Sequence, residues 1–372
     1  MKRLLRKFSV LMTVGLLTGG MMIATTSPSQ GATKKPKLTN VLIGCTPEIG
    51  TIIQDYMSDS GIAAQYGLNL QCVSVTTGPE QAALLVSGGL DISSLLPPNL
   101  YSLLDAGVPM VAFMPIETGP GFDLIIRAGF PLPDESQGWT GVMKDLANAR
   151  IGVPALGAAG QDLAEGMFQE ANVTGNPTYI ATGAGSTTLA AMSANSIDAA
   201  ITYEPAISEA LLQGIAVQPF SLIEGGGPDN ITNFGGLFYT TTRSYAKSHE
   251  TLLSNFEKAY EVARAWMVNP NNHSKAIAFV EKDLGVNEAL AVSVFDEALL
   301  TFTPATTVNA NRYNTEGQFY ETLGVATQYW PVSKYAVNVL QSTITCYKAK
   351  ATKKVTAVKP TCPRGWSTKK QK

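Results

Sequence analysis

The 372-residue sequence predicts an α/β protein made of two similar doubly wound lobes. Three observations predict it. Apolar strand-like runs alternate with amphipathic helical ones, the alternation is set out twice, and both passes carry the same helix, turn, aspartate, strand and proline in register. Alternating strands and helices pair the strands in parallel, because each crossover helix returns the chain to the same end of the sheet. A chain this long also exceeds what one core usually fills.

The elements follow in order. Lys2, Arg3, Arg6 and Lys7 precede an apolar run from Phe8 to Ile23 and a small, polar stretch ending "SPSQGA". That is the pattern of a secretory signal peptide, residues 1–31, with cleavage after Gly31 or Ala32. The run is short for a membrane span, so the mature protein is expected to be exported, periplasmic or otherwise extracytoplasmic, and soluble. The first pass predicts a strand over 40–46, a helix over 49–59, a strand over 68–75, a helix over 79–88 and a strand over 90–94. The second predicts a strand over 150–153, a helix over 160–172, a strand over 177–181, a helix over 186–194 and a strand over 197–202.

The internal match is "ALLVSGGLDISSLLPP" against "LAAMSANSIDAAITYEP". Asp91 and Asp198 hold the same place before a strand, and Pro98 and Pro205 follow them at the same offset. The loops "SLLPPN" and "TYEPA" therefore lie at the carboxyl ends of equivalent strands, where open α/β sheets bind ligands. The two aspartates lie at the opposite ends, which suits turn or capping roles. In "ARIGVPALGAAGQDLAEGMFQEANV" a strand enters a glycine and alanine loop that opens a helix. Unpaired N–H groups and the helix dipole there suit an anion, although the same glycines also serve tight strand-to-helix packing.

Composition narrows the function classes. Hydrophobic residues make up 45%, charged residues 15%, and the formal net charge is -2, which gives no footprint for nucleic acid. The two histidines, His249 and His273, fall at the ends of helical segments, and no H-x-x-x-H, G-x-S-x-G or G-x-x-x-x-G-K pattern occurs. Asp296 and Glu297 are adjacent, which points them to different faces of a helix. Neither an enzyme, a metal site nor a cofactor is expected. The four cysteines suit disulfides in an exported chain. Cys346 and Cys362 would close a local loop in the lysine-rich end, while Cys45 and Cys72, near the ends of two neighbouring strands, are either bridged or two buried thiols. Leu252, Leu253, Phe256, Tyr260, Ala263 and Met267 recur at helical spacing and are expected to be core, with Asn269-Pro270 breaking the run.

Taken in order, "GLNLQCVSV", "LVSGGLDIS", "LANARIGVPALGAAGQDLAEGMFQEANV" and "SANSIDAAITYEP" resemble the substrate-binding proteins of ABC importers in the nitrate, sulfonate and taurine group, which are type II periplasmic binding proteins. The resemblance covers about residues 38–330. Two departures stand out: the loop after Pro154 lacks a serine or threonine, and the basic end after Glu321 is an extension. The resemblance implies a hinge and a central cleft. Lobe I would comprise 37–124 plus 237–345, lobe II 125–236, and residues 346–372 a basic C-terminal tail. "GFDLIIRAG" and "NFGGLFYTTT" would cross between lobes, with Gly235 and Gly236 absorbing the change of dihedral angle on closure.

It also implies a ligand pocket at the strand ends: Thr46, Pro47 and Glu48; Leu96 and Pro97; Thr118 and Gly119; Ala158, Ala159, Gly160 and Gln161; Tyr203 and Glu204; Asn233 and Phe234. Tyr203 and Phe234 would sandwich a flat part of the ligand; alternatively Phe234 packs in the hinge, Tyr203 caps the sheet and Glu204 is solvated. The expected function is capture of a small organic anion, a sulfonate or carboxylate, by a monomer that delivers it to the membrane subunits of an ABC permease. Glu48 and Glu204 oppose an anion, since a carboxylate in a closed cleft is costly beside one. A pyrimidine or other amine-bearing heterocycle is therefore the alternative ligand. A separate reading makes the basic tail a contact for anionic lipid or cell-wall polymer, or simply a solvated end.

Overall fold

A computed structural model of the protein describes residues 38–46, 48–183, 185–304, 308–337, 342–348, 351–357, 362–364 and 366–367. The expected signal peptide, residues 1–31, and Pro47 lie outside these residues. β1 (Thr39–Cys45) runs parallel to β2 (Leu68–Ser74), with Ile43 opposite Cys72, and an isolated bridge from Ile43 to Ile92 brings in β3 (Ser93–Leu95). β10 (Phe238–Thr242) lies between β3 and β4 (Met110–Pro115), antiparallel to both. The second sheet has the order β7-β6-β8-β5-β9, where β5 is Asp123–Arg127, β6 Arg150–Val153, β7 Thr178–Ala181, β8 Ala199–Thr202 and β9 Ala216–Val217. β6 pairs in parallel with β7 and β8, whereas β5 is antiparallel to β8 and β9. The expected parallel sheets thus each hold an antiparallel strand, β10 in one and β5 in the other. These are the strands predicted to cross: a strand arriving from the other sheet enters from the shared edge and runs opposite to its neighbours.

The repeated aspartates do equivalent work. Asp91 Oδ2 accepts the backbone N–H of Leu42 in β1 at 2.9 Å, and Asp198 Oδ2 accepts that of Arg150 in β6 at 3.0 Å. Asp198 also takes the Arg150 guanidinium at 2.9 and 2.7 Å and Arg127 at 3.3 Å, and these arginines hold its carboxyl down at about 2. Each aspartate ties its strand to the neighbour at the end away from the ligand loops, as a turn role requires.

The helix Glu250–Met267 buries Leu252, Leu253, Phe256, Tyr260, Ala263 and Met267 against β1, β4 and β10, and ends before Asn269-Pro270, where proline cannot continue it. Cys45 and Cys72 are bridged, tying β1 to β2, and Cys346 is bridged to Cys362 as expected. Much of the basic end is a hairpin of β11 (Ser342–Lys348) and β12 (Ala351–Ala357), not a featureless tail. Among the described residues no helix is long and apolar enough to cross a membrane.

Candidate functional site

The carboxyl ends of both sheets open onto one cavity of about 120 Å³. From the first sheet come Thr46 and Glu48 after β1, Thr76, Thr77 and Gly78 after β2, Ser94, Leu96 and Asn99 from β3 and its following helix, and Glu117 after β4. From the second come Gly121 and Phe122 before β5, Pro154, Ala155 and Ala158 to Gly160 after β6, Tyr203 and Glu204 after β8, and Ile223 after β9. The helix Glu288–Ala298 adds Glu297 and Ala298, with Thr301 beyond it.

Of the predicted residues, the cavity gathers Thr46, Glu48, Leu96, Ala158, Ala159, Gly160, Tyr203 and Glu204. The others are elsewhere. Pro97 is buried in the first turn of its helix, where its fixed φ and missing N–H fit. Thr118 and Gly119 are spent on the crossing, their N–H groups donating to the carbonyls of Thr301 at 2.9 Å and Phe234 at 3.1 Å. It is their neighbour Glu117 that enters the cavity. Gln161 accepts the Gly157 N–H at 2.9 Å and donates to Glu165 at 2.7 Å, so it braces the loop from outside. Asn233 is exposed and bonds back to the Asp229 carbonyl at 2.9 Å. Phe234 is fully buried against Phe319 and Tyr320, 5.0 and 5.7 Å between ring centres. The aromatic wall is instead Tyr203 with Phe122, edge to face at 5.7 Å.

The sequence reading missed Glu117 and Glu297, and with them the site's chemistry. Four carboxyl groups, those of Glu48, Glu117, Glu204 and Glu297, line the cavity, and among the described residues no lysine, arginine or histidine does. Thr46 donates to Glu48 at 2.6 Å and Thr301 to Glu117 at 3.3 Å. Ser208 donates twice to Glu204, from its hydroxyl at 2.7 Å and its N–H at 3.1 Å. Burial raises Glu48 above its ordinary value and carries Glu117, next to Glu48, to about 7. Burial and the adjoining Glu204 carry Glu297 to about 9. The helix Ala159–Glu170 starts at the same cavity, with Ala158, Ala159 and Gly160 allowing close approach to the backbone. The cavity therefore offers a dense set of acceptors, an aromatic wall and one helix start. Among the described residues no group of histidine, cysteine, aspartate and glutamate is arranged to hold a metal ion.

This architecture, two α/β sheets facing one cleft, is that of the periplasmic binding proteins. The family described as NMT1-like matches residues 34–281, more than half of the chain, and the chain belongs to that family. The fold resembles the alkanesulfonate-binding protein SsuA from Xanthomonas axonopodis pv. citri bound to MOPS (14% identity, 82% of this chain and 99% of that one, TM-score 0.65). It also resembles the periplasmic aliphatic sulphonate binding protein SsuA from Escherichia coli (17%, 80% and 96%, TM-score 0.61). The periplasmic nitrate-binding protein NrtA from Synechocystis PCC 6803 is similar as well (12%, 82% and 87%, TM-score 0.61). No protein with a curated description matches the chain in sequence.

Proposed function

We infer that the chain is an extracytoplasmic solute receptor that closes two lobes over a small ligand bearing N–H donors or a positive charge, such as an amine-bearing heterocycle, and presents it to an ABC permease. The observation that carries the ligand class is the four-glutamate lining without a basic side chain. An anion entering it would meet acidic groups with no basic side chain to balance it in a poorly solvated space, whereas a cation or a neutral N–H donor suits the acceptor oxygens there. Family membership supports the receptor role, and the N-terminal basic and apolar pattern supports export. Tyr203 and Phe122 suit a flat ring lying against them. The helix start at Ala158 to Gly160 favours a second reading, an organic anion, and leaves room for an oxyanion on a ligand whose other end is amine-bearing.

The test is a thermal-shift screen of residues 32–372, refolded to strip any ligand, against amines, amidines, pyrimidines, sulfonates, carboxylates and nitrate. A ligand at 100 times its Kd adds about 2.7 kcal/mol of stability. Stabilisation by the amine-bearing classes, weakened in Glu117→Gln, is the expected result; stabilisation by sulfonates or nitrate alone overturns the ligand class and leaves the receptor role standing.

A further inference from the structure

Behind Glu204 and Glu297 of the cavity lies a hydrogen-bonded clasp that simple ligand capture does not require. The helix Ala206–Leu212 packs on the second sheet, and the helix Glu288–Ala298 packs with the core of the first. Ser208 and Ser293 hydroxyls meet between them at 2.9 Å. Glu204, just before the first of these helices, and Glu297, one turn beyond Ser293 on the second, both line the cavity, and their carboxyl groups meet there.

The donors around this clasp place its proton. Ser208 has one hydroxyl hydrogen and spends it on Glu204 Oε1, so Ser293 must donate to Ser208. With the Ser208 N–H on its other oxygen, Glu204 has the donors an ionised carboxylate needs. Glu297 is less well served: its buried Oε1 is without a partner, which a neutral carboxyl tolerates and a carboxylate does not. Asp123 at the start of β5 and Glu224 after β9, both acidic, add to the difficulty of ionising it, and Glu48 and Glu117 line the same cavity. Asp296, on its own helix, turns away to His273 at 2.7 Å. Two carboxyl groups in contact cannot both ionise, so one proton bridges them and Glu297 carries it.

We propose that the Glu204–Glu297 pair exchanges this single proton for a cationic group of the ligand, so that Glu297 selects ligands that are positively charged at neutral pH. This rests on the receptor reading and on an N–H-bearing ligand. The balance is simple: neutral Glu297 plus a cationic ligand gives a carboxylate–cation pair and one proton released to buffer. Binding therefore tightens as pH rises, up to tenfold per unit, until Glu297 is ionised in the free protein as well.

Two measurements test it. In protein labelled with carbon-13 at glutamate carboxyls, with the signal assigned by its loss in Glu297→Gln, Glu297 is expected to be protonated at pH 7; an ionised signal overturns the proposal without reference to any ligand. Calorimetry with benzamidinium, benzamide and benzoate, three flat probes of different charge, in phosphate and in Tris buffer then measures proton release. Benzamidinium is expected to bind most tightly and to release close to one proton, and Glu297→Gln to abolish the release and weaken binding at least tenfold. Benzamidinium binding without proton release, or no benzamidinium binding, overturns the exchange. Preferred binding of benzoate overturns the N–H ligand class itself.

Discussion

Glu316 accepts the backbone N–H of Gly236 at 3.1 Å, and the same oxygen takes that of Gly235 at 3.0 Å. A carboxylate on a distant helix thus pins the glycine pair through which the chain returns to the first sheet. Gly236 has a φ of +86, and a Cβ there would meet the Glu117 carbonyl oxygen, so no other residue fits without strain. Burial pushes Glu316 up to about 8 despite these donors and nearby Arg312. Its folded value lies above its ordinary one of 4.5, so its contribution is fully present below about 4.5 and is lost as pH rises to about 8. Glu316→Gln keeps an acceptor for both N–H groups and removes that slope: urea unfolding should show the variant gaining on wild type as pH rises from 4.5 to 8. Glu316→Ala strands two buried donors and is expected to cost about 2–4 kcal/mol at pH 4.5 and less as pH rises towards 8.

Gly50 is the sensor of Glu117. A methyl group at position 50 would collide with the Glu117 carboxylate, which would have to leave its place in the cavity. Gly50→Ala is therefore expected to weaken binding of an amine-bearing ligand about tenfold while changing stability by less than about 1 kcal/mol. Titration calorimetry and thermal melts on the same samples separate the two effects; a loss of stability with affinity intact would remove Glu117 from the ligand contacts.

The Cys45–Cys72 bridge encloses a sequence separation of 27, so its removal is expected to cost about 3 kcal/mol through the entropy of the unfolded chain. Thermal melts of Cys45→Ser/Cys72→Ser against wild type measure it. Because Cys45 adjoins Thr46 and Glu48, ligand affinity should fall along with stability. Unchanged melting would mean that the β1–β2 pairing alone fixes this edge.

Asp198→Asn tests the strand tie shared by β6 and β8. Arg150 and Arg127 hold the carboxyl below its ordinary 3.8, so its stabilising contribution is present above 3.8 and is lost as pH falls through about 2. The substitution is expected to cost about 1–3 kcal/mol at pH 7 with ligand affinity unchanged, since Asp198 lies at the far end of its strand. Guanidinium unfolding paired with calorimetry checks both halves of the statement.

Strand positions were readable because two-residue alternation and turn chemistry are local: the ten predicted elements from 40 to 202 each appear within about three residues of their expected ends. The repeat of Asp91 and Asp198 correctly marked equivalent turns. Side-chain direction was not readable in the same way. "NFGG" left Phe234 either for the cleft or for packing away from it, and it is Phe319 and Tyr320, from a helix 80 or more residues later, that take its ring into the core. Asp296 and Glu297 do point apart, as adjacency on a helix requires, yet only the packing of that helix on Ala206–Leu212 decides that Glu297 faces the cavity. The loop after β2 also brings Thr76 to Gly78 to the site, where Thr77 caps the next helix, and none of the three was among the expected pocket residues.

The place of β10 between β3 and β4 also sets an order of events during synthesis. All five strands of the second sheet come from residues 123 to 217 and leave the ribosome as one continuous block. The first sheet begins at Thr39 yet lacks its inner strand until residues 238 to 242 are made. The half of the molecule that is translated first is therefore the last to be finished, and until then β3 and β4 stand apart with unpaired edges.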